Sequence, residues 1–453
     1  MIASFSVSNF RSFQGEQTLS LVASKRLGTA HEDHLVAIPG VDESILKTAV
    51  LYGANGAGKS NLFRALAYTR SVALRARKKN TGTKRQRFRL GDAPAEASTF
   101  DLQFVVEEKV YRFGCELDDD RILKEWLAEV KGEKLVSIYE RISQADGEVI
   151  VELGTGFRAS PKLKALATVG GAQNVSFLAT IRANLKAEDC GPELQAVTRW
   201  FERALHLVKP DEGPGALGPM LADDADFATF AGDFLRHAST GVEHLHVDKK
   251  EITEEQLRSI LPDELVNHAL KELEENQSSC IKLPDHSELL IERSKEDHFY
   301  QISIHAAHQR GDGKVISFNL SEESDGTRRL LDLMPALHRL QKQDAVFVID
   351  EIDRSMHPML VWKFMEFFLR GCNQRSRQVI VTTHESNLLD LDLLRRDEIW
   401  FVEKDQHGAT TLYPLTDFKV RQDLEIRKHY LQGRFGAVPF LGDLDRLVEA
   451  GSK

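Results

Sequence analysis

The sequence predicts an α/β fold, a P-loop domain whose two lobes are separated by a mainly helical insertion. Three observations predict it. A β-rich run, residues 46–52, leads into "GANGAGKS" (53–60), and apolar residues at helical spacing follow. An apolar strand, "AVFVI" (345–349), ends in Asp350 and Glu351, and another, "RQVIVTTHES" (377–386), comes after it. Residues 160–280, between the glycine loop and these strands, read as largely helical, with "PELQAVTRWFERALHLV" and "TEEQLRSILPDELVNHALKELEEN" the clearest pieces.

Taken in order, residues 2–8 and 46–52 are short strands, and the second delivers the glycine loop. Gly53, Gly56 and Gly58 allow positive φ and close backbone approach, so successive amides can face a phosphate. Asn55, Ala57 and Asn61 complete the loop and the first helical turn. Lys59 supplies a point charge, and Ser60 offers a hydroxyl to Mg²⁺. ATP and Mg²⁺ are the expected ligands. The helix over 59–77 carries Leu62, Leu66 and Val72, with Phe63 and Ala67 beside them. Residues 99–152 form several strands separated by turn-like "EE", "DDD" and "KGE", and residues 287–319 return to strands after the helical stretch. The expected domains are a first lobe at 1–155, the insertion at 156–285 and a second lobe at 286–453.

The chemistry should lie where the apolar strands end. Asp350, at the carboxyl end of a buried parallel strand, can hold Mg²⁺, and Glu351 can polarise a water for attack on a γ-phosphate. One strand later come Thr383 and His384. A histidine at a strand end is more often structural, but next to these carboxylates it can reach the γ-phosphate.

Composition sets outer limits. With 42% hydrophobic and 28% charged residues the chain is of ordinary globular type, and its apolar runs fall far short of a membrane span. The start, "MIASFSVSNFRSF", has no signal-peptide pattern, so a cytoplasmic protein without membrane contact is expected. Cys115, Cys190, Cys280 and Cys372 are widely spaced, which argues against a zinc site or a disulfide framework. The net charge of −10 excludes a generic polyanion binder. Locally, however, residues 70–89 carry nine Lys or Arg and no acid, a footprint suited either to DNA or an acidic, DNA-mimicking protein, or to a solvated loop.

These motifs together resemble an ABC-type ATPase head of the branch that includes the SMC and double-strand-break repair ATPases and many prokaryotic phage-defence ATPases. The match includes "NFRSF" (9–13), and the resemblance implies that Arg11 and Ser12 lie near the nucleotide phosphates. It also identifies "LSEESDGTRRLLDLM" (320–334) as the signature motif in a defence-type variant, with Ser324, Gly326 and Thr327 as γ-phosphate contacts. Gly326 and the helix start behind it also suit an anion on physical grounds. "IDRSMHP" (352–358) resembles the loop in which Asp353 and Ser355 touch an opposing subunit, and His384 matches the switch histidine. The glutamine that usually follows the first lobe has only Gln86 and Gln103 as candidates. "YLQGRFGAVPFL" (430–441) is similar to the endings of RloA-type ATPases and of the ATPase subunit of PARIS systems, though Gly433 and Gly436 also read simply as turns.

The resemblance implies a homodimer or larger homo-oligomer with shared ATP sites. One subunit would offer Lys59, Ser60, Asp350, Glu351 and His384, and the facing one Ser324 and Gly326. Three functions compete. The first is an ATPase that senses or gates a separate effector, a nuclease or toxin, in anti-phage defence. The second is an SMC-like repair or tethering ATPase, which needs heptads that the insertion lacks. The third is a transporter subunit, disfavoured by "NFRSF" and the divergent signature. Only 69 residues follow His384, which argues against a fused nuclease.

Overall fold

The computed structural model describes residues 1–28, 30–78, 81–91, 96–210, 217–272, 278–283, 287–293, 297–371, 376–420 and 425–438. The chain runs through β1 (Ile2–Ser8), β2 (Gln17–Ser20), β3 (Leu35–Ala37), β4 (Ser44–Leu46) and β5 (Thr48–Tyr52) into helix α1 (Lys59–Leu74). Next come β6 (Ser98–Val106), β7 (Lys109–Leu117), β8 (Ile122–Lys131), β9 (Lys134–Ser143), β10 (Val149–Leu153) and β11 (Leu205–Val208). They are followed by β12 (Val242–Ile252), β13 (Ser278–Lys282), β14 (Glu288–Arg293), β15 (Asp297–Gln309) and β16 (Val315–Asn319). The last strands are β17 (Val346–Ile349), β18 (Gln378–Thr383), β19 (Ile399–Lys404) and β20 (Thr410–Pro414). Two compact units result, one of residues 1–208, 343–352 and 362–453, the other of residues 209–342 and 353–361.

Two large sheets build the first unit, together with the two-stranded pair β3-β4. One has the order β11-β17-β18-β5-β19-β20, parallel throughout except for β20. Its interior strands, "TAVLY" and "VFVI", are buried at every residue, as a parallel sheet covered on both faces requires. The other is antiparallel, in the order β10-β9-β8-β7-β6-β1-β2. Here β6 alternates buried and half-buried residues over its first six positions, the mark of a strand with one face on a core. Glu107 and Glu108, at φ 50° and 62°, turn β6 tightly into β7, the left-handed pair that a two-residue hairpin demands.

A fully buried Gln378 ties the two sheets together. Its Oε1 accepts from Ile2 N at 2.7 Å, and its Nε2 donates to Ile2 O and Leu46 O at 2.9 Å each. Such an amide, satisfied by main chain alone, fixes where β1 meets the end of β18.

The insertion expected at 156–285 divides at residue 208. Helices Phe177–Asn184 and Pro192–Arg199 bury Phe177, Leu178, Leu194 and Val197 in the first unit's core, Trp200 stacks on Phe104 at 4.2 Å, and β11 extends the parallel sheet beside β17. Residues 161–208 therefore belong with the first lobe. The second unit is not purely helical either, since β12-β15-β14-β13, with β16 beside β15, forms an antiparallel sheet. Helices Leu217–Asp223, Ala225–His237, Glu254–Ile260, Asp263–Glu272 and Asp325–Lys342 accompany it, and Leu257, Val266, Leu289 and Ile291 form a core. β12, "VEHLHVDKKEI", is mostly exposed or half-buried, which is why its pattern carries no strong strand signal.

Of the cysteines, Cys115 and Cys190 are buried thiols, packed as small hydrophobes, Cys280 is half-buried, and Cys372 lies outside the described residues.

Candidate functional site

β5 ends at Tyr52, the glycine loop begins at once, and α1 starts at Lys59. Asn55 and Gly56 at the crest are exposed, while Gly53, Ala57 and Gly58 are buried beneath. Gly58 sits at φ 118°, and a Cβ there would run into Thr410 and Ser12, so no other residue fits. Gly56, at φ 77°, makes the left-handed turn at the crest. Helix α1 opens directly on the loop, its first amides aimed there.

Thr410, which sequence inspection passes over, props this loop from behind. Its Oγ1 lies 2.8 Å from Ala57 O and 2.8 Å from Ser12 Oγ, and Asn61 Nδ2 donates to Ser12 Oγ at 2.7 Å. Thr410 N also donates to Ser12 O at 2.7 Å. Ser12 is buried, and these contacts place it behind the loop rather than on its open face. Arg11, in a left-handed conformation at φ 52°, reaches Asn61 Oδ1 at 3.4 Å, and its amide donates to Gln86 O at 2.6 Å. Burial, with Arg64 nearby, lowers the Arg11 guanidinium pKa. Gln86 thus holds "NFRSF" through its main chain, and Gln103 lies within the antiparallel sheet, on β6.

Thr410→Val should keep the side-chain volume and break the Asn61–Ser12–Thr410–Ala57 chain. We expect a loss of about 1–3 kcal/mol in stability, the usual cost of stranding buried polar partners. Thermal melting and ATP titration together check it. A variant equal to wild type in both would remove the propping role.

The open side of the loop faces the carboxyl ends of β17 and β18. Lys59, buried, donates to Gly53 O at 2.6 Å and Ala54 O at 3.3 Å, and its Nζ lies 3.1 Å from His384 Nε2. Ser60 Oγ donates to Asp350 Oδ1 at 3.1 Å, and Thr382 Oγ1 donates to the same oxygen at 2.6 Å. Thr382 also accepts from Glu351 N at 2.8 Å, and its carbonyl accepts from Ile352 N at 3.1 Å. Thr382 is the second residue missed by sequence, because a threonine in a strand is ordinarily there for β-propensity. Its neighbour Thr383 instead accepts from Glu385 N at 2.9 Å.

Glu351 is held at φ 51°, a conformation costly for a residue with a Cβ, and Thr382 is what holds it. Loop, α1 start, Lys59, Ser60, Asp350, Glu351 and His384 thus gather at one end of the parallel sheet. This donor set fits a nucleoside triphosphate with Mg²⁺: backbone amides and an ammonium for phosphate, and the adjoining Ser60 hydroxyl and Asp350 carboxylate for the cation.

The signature residues lie in the second unit. Ser324 is exposed and caps helix Asp325–Lys342, its Oγ accepting from Thr327 N at 3.1 Å. Gly326 is half-exposed, and a Cβ on it would crowd Ser355 O at 2.9 Å. Thr327 is buried, 2.9 Å from Ser324 Oγ, so it supports Ser324 rather than facing outward.

Residues 49–390 match the model of a family described as "AAA domain, putative AbiEii toxin, Type IV TA system". The chain belongs to this family. Membership makes it an AAA-type, P-loop ATPase-family protein, and its paired sheets with flanking helices are the ABC-type head fold expected from sequence. No curated protein matches the chain. Similar solved structures include the SMC head domain from Thermotoga maritima, 14% identical, covering 92% of this chain and 99% of that one, with a TM-score of 0.39. Another is the Smc head bound to the C-terminal winged-helix domain of ScpA, 15% identical over 91% of this chain and 97% of that one, TM-score 0.36. A third is an Smc head with an extended coiled coil bound to the C-terminal domain of ScpA, from Pyrococcus furiosus, at 14% identity, 91% and 96% coverage and a TM-score of 0.32. Among the described residues of this AAA-family chain, no helix is long and apolar enough to cross a membrane.

Proposed function

We propose that this AAA-family chain is an ATP-binding and ATP-hydrolysing regulatory subunit of a prokaryotic anti-phage complex, closing on ATP and controlling a separate effector, a nuclease or toxin. The observation that carries the ATPase part is the convergence on Asp350 of Ser60 and Thr382, beside the Lys59–His384 contact and the strained Glu351. In this reading Lys59 and the loop amides bind the phosphates, Ser60 and Asp350 hold Mg²⁺, Glu351 takes the proton of the attacking water, and His384 contacts the γ-phosphate. Ser324 and Gly326 act from the second copy of a homodimer or larger homo-oligomer. Mg²⁺ would supply charge neutralisation at the β- and γ-phosphates.

The family's description, with its toxin and its toxin–antitoxin system, supports an effector-linked role. The tethering alternative draws less support, because the longest helix among the described residues of the second unit has 18 residues, too short for a coiled-coil arm. The test is to purify the chain with the product of the adjacent gene. Mg²⁺-dependent ATP turnover, and retention of that product that differs between ATP and ADP, are expected. Retention indifferent to nucleotide would overturn the regulatory part.

The basic run supports a nucleic-acid or acidic-protein contact only in part. Arg70 donates to Phe201 O and Glu202 O, Arg77 to Thr83 O, and Arg85 is buried against Asp119, Glu96 O, Ser98 Oγ and Leu117 O. Arg75, Lys78, Lys84 and Arg89 remain exposed, and Lys79 lies outside the described residues. If the exposed residues meet DNA phosphates, log affinity should fall with log salt by about 0.9 per phosphate neutralised. Glu at Arg75, Lys78 and Lys84 should flatten that slope. A wild-type slope near zero would leave the run a solvated loop.

A further inference from the structure

At the amino-terminal ends of β5 and β19 lies a cluster that the ATP chemistry does not use. Residues 31–34, "HEDH", form a tight turn, with His31 in the left-handed region at φ 48° and Glu32–His34 in a 3₁₀ turn. One donor atom each from His31, Asp33 and His34 lies within 4.8 Å of the others. His31 and His34 stack with ring centroids 4.8 Å apart.

Both imidazoles are oriented from behind. His31 Nε2 lies 2.8 Å from Leu391 O, which can only accept, so the ring donates from Nε2 and keeps its lone pair on Nδ1. His34 Nδ1 lies 3.0 Å from both oxygens of the fully buried Glu398, whose Oε2 also accepts from Arg395 N at 2.7 Å. With Nδ1–H donating to this carboxyl group, the neutral ring has its lone pair on Nε2. This carboxylate–histidine pairing is the arrangement that orients metal-binding histidines. Lys47 donates to Asp33 O, the main-chain oxygen, and Asp33 itself is exposed.

We infer that His31, Asp33 and His34 form a binding site for one divalent transition-metal ion of the zinc class. Two neutral imidazoles and one carboxylate are the borderline donors such ions prefer. With metal–donor bonds near 2.0–2.1 Å, tetrahedral donors stand about 3.3 Å apart, so donors now within 4.8 Å of one another must close by up to about 1.5 Å on the ion. Rotation of the exposed Asp33 side chain serves that closure. The site is separated from the glycine loop by the length of β5, on the order of 15 Å at 3.3 Å per residue. It would brace the turn 31–34, whose rings are already hydrogen-bonded to Leu391 O and Glu398, a structural role distinct from the Mg²⁺ of the ATP site.

The test uses the full-length chain stripped of metal, with Zn²⁺ in a chelator-competition titration and Co²⁺ as an absorbing probe. Wild type should bind one equivalent of Zn²⁺ at submicromolar affinity, show tetrahedral Co²⁺ absorption and melt at higher temperature with Zn²⁺ than without. Asp33→Asn and His31→Ala should each weaken Zn²⁺ binding at least tenfold and abolish the melting shift, while ATP affinity stays unchanged. Asp33 is exposed, so that variant folds even if His31→Ala does not. Absence of a high-affinity equivalent in wild type overturns the site, and so does an equivalent that Asp33→Asn leaves untouched.

Discussion

Lys59→Ala lowers ATP affinity by about one to two orders of magnitude and leaves the fold intact. The size follows from the loss of a charge-assisted contact, about 1.5–3 kcal/mol. The fold is expected to survive because the Lys59 bonds to Gly53 O and Ala54 O and its contact with His384 lie at the mouth of the loop, while the apolar face of α1 is carried by Leu62, Phe63 and Leu66. Calorimetric titration with ATP measures the affinity, and melting temperature checks the fold. Unchanged ATP binding in a folded variant would end the phosphate-cradle reading.

Glu351→Gln should lower ATP turnover by about 10²–10⁴-fold, the usual contribution of a positioned general base, while changing ATP affinity only a few-fold. The amide keeps the shape of the side chain but cannot take a proton. Asp350→Asn should behave differently, because Asp350 is bonded to Ser60 and Thr382 and, in the proposed function, would hold the cation. Loss of its charge weakens Mg²⁺-dependent ATP binding and turnover together. In Glu351→Gln an ATP-loaded closed oligomer accumulates, seen as a larger mass in solution with ATP than without. Ser324→Arg, at an exposed helix cap, blocks that closure from the opposite subunit and spares ATP binding to the single chain. Wild-type turnover in Glu351→Gln, or in Ser324→Arg, refutes the shared-site mechanism.

How much of this is legible without coordinates differs from element to element. The glycine loop, α1 and β17 are local in origin. Glycines at forced φ, an apolar run and a helix start encode themselves within a few residues, and Lys59, Ser60 and Asp350 stand where that pattern puts them. The antiparallel strands β6 to β10 were equally plain from alternation and turn residues. The division of the 156–285 stretch at residue 208 and the strand within it are not legible, for a non-local reason. Residues 161–208 look like any helical stretch until Trp200 meets Phe104 and β11 meets β17, and β12 is too polar on its exposed positions to announce a strand. The basic run misleads in the same way, because whether an arginine is a surface charge or a buried clamp, as Arg85 is, depends on which carbonyls lie opposite.

By itself the sequence determined the P-loop, the carboxylate-ended strand and the α/β class, since each rests on backbone freedom or apolar periodicity within one short segment. Only the tertiary structure decided that Thr382 and Thr410 belong to the site, that Ser12 lies behind the loop, and that His31 and His34 are backed by Leu391 and Glu398. These are contacts between side chains far apart along the chain, such as Ser12 with Thr410 and His34 with Glu398. Hydrogen bonds act over about 3 Å in space whatever the distance in sequence. A threonine or histidine therefore carries no local sign of its partner until folding sets the two face to face.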